Sequence, residues 1–494
     1  MSKVVSSFEL SLHHRSERQT LANWLYSELR AAILDGRLKA GVKLPASRDF
    51  ARRYHISRGT VVSAFERLQD EGYLSSRVGV GTRVNSKVLT SEFIRRASYE
   101  PPVYLRRVVS KYRQPKPFLN WVMFPGNRPF SMRNPALGEF PAKLWGRIAA
   151  KRVHAFGSWL REEDDGGGYR PLRDAIAHYL GSSRGVSCSA EQVVIVSGTQ
   201  QALDLVARLL LKPGDPIWME DPGYFGASIA FERVGAKIIP VPVDEEGLSV
   251  SAGMKACANA KGVFLTPAHQ YPMGMAMSLR RRIEVLEWAA RTGSFIVEDD
   301  YDSEYQFKGL PAPALQGLDR NSNVIFIGTF TKLLFPSLRL GYIVLPPSLV
   351  EVFVSFRRGS ELRSSGIEQA ALCDFIVEGH FGRHLRRMRD LYAQRLEALL
   401  HFGRRNMSGL LELSDTKAGL YIAGFLQNGM TSLEAESIAA ANGIETRAIE
   451  RFTLKRHDPK GILLGFAAFD EKEIHSGIIR LTAALSSRNP ARRK

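Results

Sequence analysis

From Glu191 to Tyr342 the chain repeats one pattern: a short apolar run, a turn bearing glycine or proline, then a helical stretch. Val193–Val196, Ile217–Pro222, Val263–Leu265, Phe295–Val297 and Ile325–Ile327 are such runs. Short apolar strands that alternate with helices belong to a mostly parallel α/β sheet covered on both faces. Ligands of such sheets bind outside the carboxyl ends of the strands. Chemistry-bearing residues are therefore to be sought just after each run.

Each run is followed by a candidate. Ser197-Gly198-Thr199-Gln200 comes after the first; Ser197 and Gln200 fit a capping box, and a glycine at a helix N-terminus makes an anion site. Tyr224 follows the second, placed either to stack on a flat ring or to pack under its turn. The third opens into Thr266-Pro267-Ala268-His269-Gln270-Tyr271-Pro272-Met273-Gly274, where His269 reads as an ordinary loop histidine. The fourth opens into Glu298-Asp299-Asp300-Tyr301-Asp302. Such carboxylates suit a metal, or a pyridinium nitrogen that one of them keeps protonated. The second choice is preferred because the fifth run leads into Thr329, Thr331, Lys332 and Arg339. A lysine among apolar residues is costly to bury unpaired, and a Schiff base with an aldehyde cofactor is one chemistry that wants it there. Arg339 adds a planar fork suited to phosphate.

The N-terminal segment differs in kind. Leu21, Leu25, Leu29 and Ile33 lie at four-residue spacing on one helical face. Ser47 is a good N-cap for a second, short helix, and Ser57 for a third that runs to about Glu71. Tyr73–Val84 alternates weakly around Gly79 and Gly81, as a hairpin does. Three helices and a hairpin describe a winged helix-turn-helix. Its third helix would put Ser57, Arg58, Gly59 and Thr60 against DNA, Arg58 on a base edge, with guanine the best match. Arg48 would sit on the backbone. The hairpin tip, with Arg77, Gly79, Gly81 and Thr82, can approach a groove closely.

The net charge of +18 fits a polyanion partner. Residues 86–120 form a basic, proline-broken linker with a short helix expected near Tyr104–Tyr112. The linker serves as a tether or adds contacts to DNA phosphates. No apolar run is long enough to span a membrane, and the N-terminus lacks the apolar region of a secretory leader. Cys188, Cys257 and Cys373 are scattered, which suggests neither a disulfide framework nor a metal site and makes a reducing cytoplasm the default.

Residues 15–85 resemble a GntR-type DNA-binding domain, through Leu44-Pro45-Ala46-Ser47-Arg48, Ser57-Arg58-Gly59-Thr60-Val61, Glu71-Gly72-Tyr73-Leu74 and Gly79-Val80-Gly81-Thr82. Residues 121–494 resemble the fold type I aminotransferases that use pyridoxal 5'-phosphate (PLP). Joined, and with the phrases HQYPMG, EDDYDSEY and GTFTKLLFPSLRLGY, the chain resembles the MocR/GabR-type regulators. That resemblance implies an internal aldimine at Lys332, with Asp299 on the pyridinium nitrogen, Tyr301 at the ring hydroxyl and Tyr271 near it. It implies Tyr224 stacked on the ring, and Gly198, Thr199, Thr329, Thr331 and Arg339 around the phosphate. It further implies a cytoplasmic, head-to-tail homodimer that binds double-stranded operator DNA and answers to PLP or a small amine. The alternative is an active aminotransferase with an accessory DNA-binding domain.

Two departures from that pattern are expected to matter. Leu463 stands where aminotransferases place an arginine for the substrate carboxylate, and Gly226 offers no side chain to an effector. Arg447 and Arg451 remain as other candidates for a clamp. The pattern therefore argues against amino-acid turnover.

Overall fold

The computed structural model describes residues 19–77, 81–85, 103–112, 128–155, 166–307, 312–359, 366–427, 429–455 and 458–487, with positions 10, 12 and 309. The chain divides into two compact units, 1–116 and 117–494.

In the first unit α1 (Leu21–Leu34), α2 (Ser47–Arg53) and α3 (Arg58–Asp70) precede a hairpin of β1 (Leu74–Arg77) and β2 (Gly81–Val84). The four-residue spacing read in α1 does bury Leu25, Leu29 and Ile33. They meet Phe50 of α2, Val61, Phe65 and Leu68 of α3, and Leu74 and Val84 of the hairpin in one core. Each such side chain contributes about 1.5–3 kcal/mol by leaving water. The hairpin register pairs Leu74 with Val84 and Arg77 with Gly81. Ser47 is not a cap: the chain leaves Pro45 with Ala46 extended in the cap position, and Ser47 is the first helical residue. Of the linker, a helix at Val103–Tyr112 is described.

The second unit carries two sheets. The larger is built from β3 (Val193–Val196), β4 (Pro216–Asp221), β5 (Lys237–Asp244), β6 (Gly247–Leu248), β7 (Gly262–Leu265), β8 (Phe295–Asp300), β9 (Val324–Thr329) and β10 (Gly341–Val344). Their order is β3-β10-β9-β8-β7-β4-β5-β6. Strands β4, β5, β7, β8 and β9 are parallel. Strand β10 runs against both of its neighbours, and β6 runs against β5. The fold is thus α/β with a mostly parallel sheet. Val193–Val196 and Val324–Thr329 are buried along their whole length, as expected of strands sandwiched between helices.

The smaller sheet has the order β11-β12-β14-β13, with β11 at Leu411–Leu413, β12 at Tyr421–Leu426, β13 at Arg447–Ala448 and β14 at Gly461–Gly465. Its register places Leu463 of β14 opposite Ala423 on one side and Arg447 on the other.

Candidate functional site

Strand register assembles the first part of the site. Gly341 pairs with Val196 of β3 and with Thr329 of β9. This brings together the turn after β3 (Ser197, Gly198, Thr199), the end of β9 (Thr329) with the turn that follows it (Thr331), and the segment holding Arg339. The fit is close: a Cβ on Gly341 would lie 2.8 Å from the Gly328 carbonyl oxygen and 3.1 Å from the Gly198 Cα. Gly198 itself has φ +130 and occupies the cap position of a helix, Thr199–Leu210. The capping box expected of Ser197 and Gln200 does not form. The helix starts at Thr199, so the Ser197 hydroxyl reaches Gln201 at 3.1 Å instead, and Gln200 donates to the Gly226 carbonyl at 3.0 Å. The helix N-terminus is left without a side-chain cap, as an anion site requires.

The carboxylates at 298–302 go separate ways. Glu298 accepts from the Leu315 and Gln316 amides, both at 2.9 Å. Asp300 pairs with buried Arg184 at 2.7 Å. Asp302 pairs with His269 Nδ1 at 2.9 Å. Asp299 is also buried, but its hydrogen bond among the described residues is from Thr199 Oγ1, at 3.5 Å. Burial, then the neighbouring Asp300 charge, pushes its carboxyl well above the usual range. An uncompensated buried acid at a strand end is suited to a cationic ring nitrogen. Four carboxylates with four different partners do not make a cage for a metal ion.

Lys332 lies in the loop after β9, half-buried. Its ammonium donates to the carbonyl oxygens of Met132 and Arg133, both at 3.2 Å. Burial lowers its pKa, with the Asp302 charge acting the other way. The amine is therefore easier to deprotonate, which a nucleophilic lysine needs.

A tyrosine group surrounds this region. The Tyr301 hydroxyl is 2.8 Å from that of Tyr421 and 3.1 Å from His269 Nδ1. The Tyr271 ring is edge-on to Tyr224 with centroids 5.6 Å apart, and its hydroxyl is buried with no partner among the described residues. Burial raises the Tyr271 and Tyr301 phenols well above their ordinary values, so both stay protonated and act as hydrogen-bond groups. An orphaned phenol, an unneutralised acid, a lowered lysine and an uncapped helix are together what a phosphorylated pyridine aldehyde with a ring hydroxyl would satisfy. The residues fit PLP.

Three participants were not read from the sequence. His269, read as an ordinary loop histidine, is in the loop and is partnered there by Asp302 and Tyr301, which the sequence did not name as its partners. Tyr421 and the Met132–Arg133 carbonyls come from segments far along the chain, and only tertiary contact reveals them. The clue to His269 was Asp302 itself, an extra acid in EDDYD with no chemistry assigned.

In the first unit the third helix is capped as read: the Thr60 amide donates to Ser57 Oγ at 3.1 Å. The back of α3 is fastened by Arg67, which lies over the Tyr26 ring at 3.9 Å and pairs with Glu71 at 3.3 Å. Arg48, Ser57, Arg58 and Gly59 remain exposed, as do Arg77 and Gly81. Thr60 and Ser47 are half-buried. The Thr82 hydroxyl is engaged by Ser76 across the hairpin at 2.6 Å. Gly79 lies outside the described residues.

Comparison with known proteins agrees with both units. Residues 21–84 match the family of bacterial regulatory proteins named gntR, and residues 149–440 match aminotransferase class I and II. A Rhizobium meliloti protein described as "Probable rhizopine catabolism regulatory protein MocR" is 38% identical over 93% of this chain and 92% of its own. The pyridoxine biosynthesis transcriptional regulator PdxR of Corynebacterium glutamicum is 28% identical over 95% of this chain and 97% of its own. Among solved structures, the α-aminoadipate aminotransferase LysN of Thermus thermophilus, complexed with N-(5'-phosphopyridoxyl)-L-leucine, matches with a TM-score of 0.71. It is 27% identical and covers 78% of this chain and 99% of its own.

Proposed function

The chain belongs to the MocR-type regulators, a GntR-family winged helix joined to an aminotransferase-like body, and from that premise we propose that it is a DNA-binding regulator that senses PLP or a small amine through Lys332. The observation that carries the sensing half is Asp299: a buried acid with no cation partner among the described residues, one strand away from a lysine of lowered pKa.

The cofactor is PLP, which when bound supplies an aldehyde able to exchange one amine for another. Lys332 offers the resident amine. Asp299 would hold a proton at the ring nitrogen, and Tyr301 and Tyr271 would hydrogen-bond near the ring hydroxyl. Tyr224 would flank the ring. Gly198, Thr199, Thr329, Thr331 and Arg339 would receive the phosphate. Arg58 reads bases, while Arg48, Ser57, Thr60 and the hairpin residues Arg77, Gly79, Gly81 and Thr82 position the wing and helix on the phosphates. The protein acts as a cytoplasmic homodimer, a two-fold partner for paired half-sites. Its domains are taken as 15–85, a linker at 86–120, and 121–494.

The test compares PLP-loaded wild type with Lys332→Ala on DNA from upstream of the chain's own gene. A small amine is expected to change the DNA affinity of the wild type and to leave the variant unmoved. Equal responses of the two would end the proposal that sensing passes through the lysine.

A further inference from the structure

The side chains packed around Met132, beside Lys332, bear on what an effector must lack. Met132, whose carbonyl receives the Lys332 ammonium, packs with Tyr271, Tyr421, Phe452 and Leu463. Leu463 is fully buried in this group. On the neighbouring strand Arg447 is the nearest cation in register, but it is already taken. It pairs with Glu436 at 3.1 Å and with Glu445 at 3.4 Å. Arg451 pairs with Glu436 at 2.6 Å, and Arg133 with Glu445 at 3.0 Å. Both acids are buried. Withdrawing an arginine from them would strand a buried charge, which is costly. Gly226 is equally closed: a Cβ there would lie 2.5 Å from the Tyr224 ring and 2.6 Å from Gln200 Oε1.

From this arrangement we infer that the effector is a primary amine without a carboxylate. A ligand carboxylate beside Leu463 would find Arg133, Arg447 and Arg451 already engaged, whereas an apolar or hydroxyl-bearing tail would meet the aromatic wall and the Tyr271 hydroxyl, unpartnered among the described residues. The inference rests on the reading of Lys332 as the residue that presents PLP.

The experiment titrates PLP-loaded, full-length protein by calorimetry with two matched pairs: 4-aminobutan-1-ol against 4-aminobutanoate, and 2-phenylethylamine against phenylalanine. In at least one pair the carboxylate-free member is expected to bind at least ~10-fold tighter, and in neither pair the carboxylate. Leu463→Arg should narrow or reverse that preference. Glu445→Gln, which removes one acid from Arg447 and Arg133 and leaves Leu463 in place, should raise carboxylate affinity even if the leucine variant fails to fold. Wild type that bound the carboxylates as well as or better than their partners, or bound none of the four, would overturn the inference. Visible absorbance, recorded before titration, separates the two failures. Protein that takes up no PLP sinks the underlying reading and this inference with it; protein that loads PLP and prefers carboxylates sinks the inference alone.

Discussion

Thr199 and Asp299, one hundred residues apart, meet at 3.5 Å across the carboxyl edge of the large sheet. The contact joins a helix N-terminus without a side-chain cap, suited to an anion, to a buried acid, suited to a cation. A long hydrogen bond to a single hydroxyl does little to stabilise a buried carboxylate, and its pKa lies well above the usual range.

Asp299→Asn therefore has opposite effects on the empty and loaded protein. A raised folded pKa means that stability falls as pH rises above the unfolded pKa, so removing the ionisable group should stabilise PLP-free protein near pH 7 by about 1–3 kcal/mol. The same change should weaken PLP binding ~10–100-fold, because a hydrogen bond to a charged partner is lost. Thermal unfolding with and without PLP reads both; a variant destabilised in the empty state would contradict the assignment.

Glu220 offers a pH signature. Burial raises its carboxyl to about 7, with the Thr266 hydroxyl and amide pulling the other way. Between its ordinary 4.5 and about 7 the folded state keeps a proton that the unfolded state has released. Stability should fall as pH rises through that window, by at most about 3 kcal/mol from this group. Glu220→Gln should flatten the slope of unfolding free energy against pH there. A residual slope is expected from Glu298, which is also raised to about 7. An unchanged slope would mean that Glu220 ionises normally.

Gly226→Ala should disturb cofactor binding without touching any charge. The added methyl would be 2.5 Å from the Tyr224 ring, so the ring or the helix must move, at a cost of about 1–3 kcal/mol. Reduced PLP affinity with retained DNA binding is the expected result, measured by cofactor titration and by a gel-shift assay.

In the winged helix two neighbours separate stability from recognition. Ser57→Ala removes the cap bond to the Thr60 amide and should cost about 1 kcal/mol of stability. Arg58→Ala should leave stability unchanged and weaken operator binding ~10–100-fold, the value of one good base contact. Thermal unfolding and DNA titration of both variants distinguish them; an Arg58 variant with full affinity would remove it from the interface.

The strands were legible because each carries its own apolar signal, and their carboxyl ends could be searched for chemistry one at a time. Lys332, the carboxylates at 298–302, Gly198 and Arg339 were picked out as candidates in that way, and the resemblance singled out Asp299 among the acids. Local patterns failed where a neighbour in space decided the outcome. Ser197 looked like a cap, yet Gln201 claims its hydroxyl. Ser47 looked like one too, but Ala46 takes the cap position after Pro45. His269 and Asp302 are 33 residues apart and acquire meaning only as a pair. Arg447 looked available for an effector until Glu436 and Glu445 were seen to hold it.

The measurement that tests the account most directly is the affinity of the full-length protein for upstream DNA, determined with PLP-free and PLP-loaded protein at one fixed salt concentration. Coupling between two sites is reciprocal and typically amounts to about 1–3 kcal/mol. The account predicts that loading shifts DNA affinity ~5–150-fold, that DNA shifts PLP affinity by the same factor, and that Lys332→Ala diminishes both. DNA affinity that is identical with and without PLP, and that an amine added to PLP-loaded protein does not move either, in wild type and variant alike, would contradict it.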